Sequence, residues 1–84
     1  MEKIRINVTA RDIERGEKFN SRSCPIARAV RRKKPDDPIT VGLDCILINH
    51  KYCKIPRVEF FKNWIKAFDG NKPVRPFSFT LYQL

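Results

Sequence analysis

ITVGLDCILINHKYCKI, residues 39–55, is the stretch on which the fold turns. Residues 39–48 are β-branched and apolar enough for a strand, residues 51–55 can return antiparallel to them, and Asn49 with His50 stand between as a two-residue turn. The segment therefore predicts one strand over 39–48 and a second over 51–55, paired antiparallel. Centring the turn on Asn49 and His50 sets the register, with Ile48 opposite Lys51, Leu47 opposite Tyr52 and Ile46 opposite Cys53. Gly42 marks a bulge or a close backbone approach within the first of these strands.

Toward the C-terminus, Pro56 introduces the strongest helical pattern in the chain, residues 57–69, closed by Gly70. Val58, Phe60, Phe61, Trp64, Ile65, Ala67 and Phe68 cover nearly half its circumference, and Glu59, Lys62, Asn63, Lys66 and Asp69 lie opposite. That stripe is wider than the roughly 100° a surface helix needs, so it predicts packing on the sheet and against a second chain, as a homo-oligomer. Phe77, Phe79 and Leu81 then alternate with Ser78, Thr80 and Tyr82 in a closing strand.

Toward the N-terminus, Pro35, Asp36, Asp37 and Pro38 break a helix that starts at Ser23 or Cys24 and runs to Lys33 or Lys34, with Pro25 in its first turn. Its Ile26, Ala27, Ala29 and Val30 share one side, and Arg28, Arg31 and Arg32 the other. Before it, Thr9 and Asp12 resemble a capping pair for a short helix over 10–15, with Gly16 as a left-handed stop. Ile4, Ile6 and Val8 alternate with Lys3, Arg5 and Asn7 in an opening strand. The expectation is an α+β single domain over 1–84, β-α-α-β-β-α-β, with a mainly antiparallel sheet packed against the 57–69 helix.

A chain of 84 residues has room for one core, burying roughly 60% of its unfolded surface, and its 42% hydrophobic content suffices for that core. Apolar runs are only a few residues long, far short of the ~20 that span a bilayer, so a soluble, cytoplasmic protein is expected. Eighteen Lys and Arg against nine Asp and Glu give a net charge of +9. Such a field opposes folding unless anions relieve it, which points to anionic partners; the plainer reading is a merely solubilising surface.

Cys24, Cys45 and Cys53 form no C-x-x-C unit, and three thiols cannot all pair within one chain. Cys45, His50 and Cys53 lack the two close ligand pairs of a structural zinc site, so buried free thiols are expected, with no metal and no cofactor. No Gly-rich phosphate loop, nucleophile elbow or paired-carboxylate motif is present, and a non-enzymatic protein is expected. Cys24 at a helix start could be an activated nucleophile; a packed or capping thiol is the alternative.

The most informative stretch for function is 18–34, which contains no acidic residue but carries Lys18, Arg22, Arg28, Arg31, Arg32, Lys33 and Lys34. A helix start with unpaired N–H groups attracts anions, and Asn20, Ser21 and Ser23 add hydrogen-bonding side chains before it. Arg28 is placed to lean back toward an anion near Ser23 and Cys24, with Arg31 and Arg32 extending the same face. The guanidinium fork suits phosphate in particular. The candidate ligand-binding set is therefore Asn20, Ser21, Arg22, Ser23, Cys24, Arg28, Arg31 and Arg32, with Lys33 and Lys34 nearly dispensable. The competing reading makes Ser23 a plain helix cap and the arginines a solvated face.

Three phrases, VTARDIERG, SCPIARAVRR and FDGNKPVRPFSFTL, resemble a group of small bacteriophage-encoded proteins of unassigned activity. The resemblance covers most of the chain outside 33–56. It implies a phage origin, the cytoplasm of an infected bacterium, and a role in countering host defence. The functional expectation is a binder that sequesters a phosphate-bearing nucleotide, a host immune signal, as a homo-oligomer. The alternatives are a nucleic-acid-binding or ribonucleoprotein-blocking inhibitor that uses its basic face, and a structural interaction module. Most aromatics fall on core faces, which favours the compact ligand over an extended nucleic acid.

Overall fold

Alternation and helical periodicity become eight elements in the computed structural model, which describes residues 2–83. In chain order they are β1 (Glu2–Val8), α1 (Ala10–Arg15), α2 (Pro25–Lys33), β2 (Ile39–Val41), β3 (Ile46–Ile48), β4 (Lys51–Lys54), α3 (Val58–Asp69) and β5 (Phe77–Gln83). The protein is a small α+β domain whose five strands form one curled antiparallel sheet in the order β1-β5-β4-β3-β2. No helix among the described residues is long and apolar enough to cross a membrane.

The hairpin register is the one expected from the turn: Ile46 with Cys53, Leu47 with Tyr52, Ile48 with Lys51. Asn49 and His50 both take left-handed backbone, at φ 53° and 65°, as a tight two-residue hairpin turn requires. The segment 39–48 is not one strand. It folds back on itself, so that Ile39 pairs with Ile48 and Val41 with Ile46. The Gly42 N–H donates to the Cys45 carbonyl at 2.8 Å and closes the turn between the two halves. Gly42 thus serves a close approach, since a Cβ there would lie 3.3 Å from the Cys45 sulfur. An apolar run that changes direction leaves no break in periodicity, which is why one strand was expected.

Gly16 is likewise not a left-handed stop. Its backbone is extended, at φ −71° and ψ 152°. The position excludes a side chain for another reason, because a Cβ would meet the Pro25 ring at 2.5 Å. After α3 the left-handed residue is Asn71, at φ 65°, while Gly70 donates its N–H to the Lys66 carbonyl. The α3 helix itself begins at Val58, with Arg57 before it at φ 49°.

The core lies on one face of the sheet. Ile4, Ile6, Val8, Ile39, Val41, Ile46, Ile48, Phe79 and Leu81 point from the strands toward Ile26, Ala27, Ala29 and Val30 of α2 and Phe61, Trp64 and Phe68 of α3. Phe61 meets Phe79 edge-on at 5.8 Å, and the Trp64 indole N–H donates to the Arg75 carbonyl at 2.9 Å. Three of the seven residues of the wide α3 stripe, Phe61, Trp64 and Phe68, lie inside this core, and Val58 and Ile65 pack against it. Phe60 remains exposed, with its ring on Phe77 at 5.3 Å and beneath the Arg57 guanidinium.

Curling brings the two edge strands toward each other, and α2 packs against both β1 and β2. The loop before α2 pairs with one of them, since the Val41 N–H donates to the Ser21 carbonyl at 2.8 Å. Arg32 donates to the Asn7 carbonyl on the other at 3.0 Å. Each edge is thereby engaged at one point, and the basic stretch 18–34 is fixed across the opening of the sheet.

Candidate anion-binding site

The start of α2 is closed to solvent. Pro25 has no N–H, the Ala27 N–H donates to the Cys24 sulfur at 3.4 Å, and the Arg28 N–H donates to the Cys24 carbonyl at 3.0 Å. Pro25, Ile26 and Ala27 are all buried. Cys24 is thus the helix cap. Burial pushes its thiol up from the usual range, outweighing the N–H groups of Ala27 and Ile26, with Asp69 adding to the rise. Such a thiol is protonated at neutral pH and is a poor nucleophile.

Two of the three helix arginines turn toward a carboxylate. Asp12 is completely buried, and Arg32 donates to it from Nη2 at 2.7 Å and from Nη1 at 3.1 Å. The Arg28 Nε lies 3.5 Å from the same carboxylate. Burial alone would raise the Asp12 carboxyl. Hydrogen bonds from Arg32 and the Thr9 backbone, together with the Arg32 charge, more than offset it and hold the group below its usual value.

The third arginine goes the other way. On α2, Arg31 lies about 60° around the axis from Arg28, on the side away from Arg32. Its Nη2 donates to the Arg22 carbonyl. Arg22 and Arg31 together with Pro38, Ile39, Thr40 and His50 line a cleft of about 350 Å³ between α2, the start of β2 and the β3–β4 turn. No carboxylate is among these residues; Asp36 and Asp37 sit in the turn just before Pro38. Arg31 is anchored by one of its five N–H donors, which leaves the rest of the fork for a ligand.

The remaining members of the expected set lie elsewhere. Asn20, Ser21 and Cys24 border a smaller cavity of about 210 Å³ with Phe19, Leu43, Ile65 and Asp69, an apolar lining that carries one carboxylate. The Asn20 side-chain oxygen accepts from the Arg22 and Ser23 N–H groups at 3.0 Å each, and this fixes the loop. Ser23 gives its carbonyl to the Glu17 N–H at 2.9 Å. Lys34 is paired with Glu2 at 3.1 Å, and Lys33 is exposed. The structure therefore brings Arg22 and Arg31 together, and it separates them from Arg28 and Arg32.

Thr40 and His50 were not among the sequence candidates. They belong to the hairpin region and reach Arg22 and Arg31 only because α2 bridges the two sheet edges. His50, in the turn centre, was the one available signal. Among the described residues no three His, Cys, Asp or Glu side chains gather as metal ligands, and the three cysteines are unpaired. The chain matches no family model, no curated protein and no solved structure.

Proposed function

We propose that this protein is a non-catalytic binder of a phosphate-bearing ligand, with the cleft of Arg22, Arg31, Thr40 and His50 as the phosphate seat. The observation that carries the reading is that Arg22, Arg31, Thr40 and His50 line one concave site with no acidic residue in its lining, the Arg31 guanidinium being held on the Arg22 carbonyl. Guanidinium forks match phosphate oxygens in geometry as well as charge. The volume stands at the small end of ligand sites and suits a single nucleotide better than a larger cofactor. The net charge of +9 adds a long-range attraction for any such anion.

The sequence resemblance would make the ligand a signalling nucleotide of a bacterial host. Calorimetric titration with inorganic phosphate and a panel of linear and cyclic nucleotides tests this. Arg22→Ala and Arg31→Ala should each weaken binding by about tenfold, the loss of one charge-assisted contact. Arg28→Ala should leave affinity unchanged. The reverse pattern would return the seat to the start of α2, and an absence of binding across the panel removes the reading.

A further inference from the structure

The helices cover one face of the sheet; the other face is open. Strand alternation places Lys3 and Arg5 of β1, Tyr82 of β5, Tyr52 and Lys54 of β4 and Thr40 of β2 on that open face, opposite the buried set. No strand residue on it is acidic. Lys3, Tyr82 and Lys54 form one row across three neighbouring strands, and Tyr52, Leu47 and Thr40 form the next. Tyr52 and Tyr82 are diagonal neighbours on adjoining strands, roughly 7–8 Å apart by sheet geometry.

Tyr52 is 67% exposed. A tyrosine ring lying open beside lysines does nothing for the core, and its π-face is available to a base. Asp44, in the β2–β3 loop, shares a groove with Tyr52 and Lys54 and bounds the basic area at that end. At the other end of its row Thr40 also lines the phosphate cleft, so the open face runs into the seat already described.

We infer that the phosphate-bearing ligand is a single-stranded nucleic acid in place of the free nucleotide that the resemblance suggests, entering the cleft with one phosphate and crossing the sheet face from β2 toward β1. Tyr52 and Tyr82 stack its bases, and Lys54, Lys3 and Arg5 meet the following phosphates. This rests on the cleft reading and extends it. Four strand spacings make the face about 19 Å wide, enough for roughly four nucleotides, at the lower end of known single-strand site sizes. A duplex is disfavoured, because its bases are already stacked and offer no face to the tyrosines.

The test is fluorescence anisotropy of a labelled eight-nucleotide oligothymidylate, with competition by thymidine 5′-monophosphate, by shorter 5′-phosphorylated oligothymidylates and by an eight-base-pair duplex. Affinity should rise with length up to about four nucleotides. Tyr52→Ala should weaken the eight-nucleotide strand about tenfold, the size of one lost base stack, and leave the monophosphate unchanged. Lys54→Ala should reduce the slope of log affinity against log salt by about 0.7. Arg31→Ala should weaken both ligands. An affinity that depends on Arg31 but not on length or Tyr52 overturns the face and leaves the cleft standing. Tighter binding of the duplex also overturns it, and loss of all binding overturns both readings.

Discussion

Arg32 closes on Asp12 with two hydrogen bonds, Nη2 to Oδ2 at 2.7 Å and Nη1 to Oδ1 at 3.1 Å, although the arginine side chain is half exposed and the aspartate is completely buried. The same carboxylate accepts the Thr9 N–H at 3.0 Å, which completes the capping box of α1. Arg32 in turn donates to the Asn7 carbonyl of β1. One carboxylate therefore ties together α1, α2 and the edge of the sheet. A six-residue helix has too few internal hydrogen bonds to hold by itself, so α1 depends on this junction.

Asp12→Ala should consequently cost about 3 kcal/mol, at the low end for a broken buried pair because Arg32 stays partly in water. Urea unfolding measures it. The pH dependence follows from the lowered carboxyl. A depressed acid stabilises the fold above its unfolded value of about 3.9, and that contribution disappears as pH falls through the lower folded value. Wild type should lose stability on acidification below about pH 4, and Asp12→Asn should lack this component. An identical acid profile in the two proteins would place the acid-sensitive group elsewhere.

Gly16→Ala should destabilise by about 1–3 kcal/mol, through overpacking against the Pro25 ring, which a Cβ would meet at 2.5 Å. The backbone at Gly16 is ordinary extended conformation, so the cost is steric alone. Gly42→Ala is the comparison, because its Cβ would lie 3.3 Å from a single sulfur and should cost less. Thermal melts of the two variants rank them. Equal melting temperatures would mean that the α1–α2 connection yields to the added methyl.

The sheet was legible in the sequence because each strand has one buried face, and a period of two states that directly: Ile4, Ile6 and Val8, or Phe79 and Leu81, have no other reading. The Asn49–His50 turn set its own register. The β2–β3 reversal was not legible, since both of its strands are three-residue apolar segments joined by a short loop whose only signals are Gly42 and Asp44. The site was half legible. Helical periodicity grouped Arg28, Arg31 and Arg32 on one side, but the destination of each guanidinium depends on the buried Asp12 and on the distant hairpin, and those are tertiary facts. Tyr82 was visible on the polar face of its strand, and Tyr52 only as the register partner of Leu47. Their common surface required the strand order β5-β4.

The three thiols should be slow to alkylate. Burial pushes Cys24, Cys45 and Cys53 up from the usual thiol range, with Asp44 reinforcing the rise at Cys45. A raised pKa means less thiolate at a given pH, so iodoacetamide labelling at pH 7.5, followed by intact mass, should lag behind a free cysteine and accelerate as pH rises. Preferential rapid labelling of Cys24 at neutral pH would reinstate it as an activated nucleophile.

His50 offers the sharpest separation of structure from function. It occupies the second central position of a hairpin turn at φ 65°, where glycine is the favoured residue and a side chain costs about 1–2 kcal/mol. Glycine loses more freedom on folding, which returns part of that sum. His50→Gly should therefore stabilise the domain by about 0.5–1 kcal/mol in urea unfolding. The same change removes a side chain from the lining of the cleft that Arg22, Arg31 and Thr40 share, and should weaken phosphate binding several-fold. A more stable protein that binds its ligand less well is the signature of a residue kept at a strained position for its side chain. If stability rises and affinity does not change, the imidazole belongs to the turn alone, and the phosphate seat reduces to the two arginines.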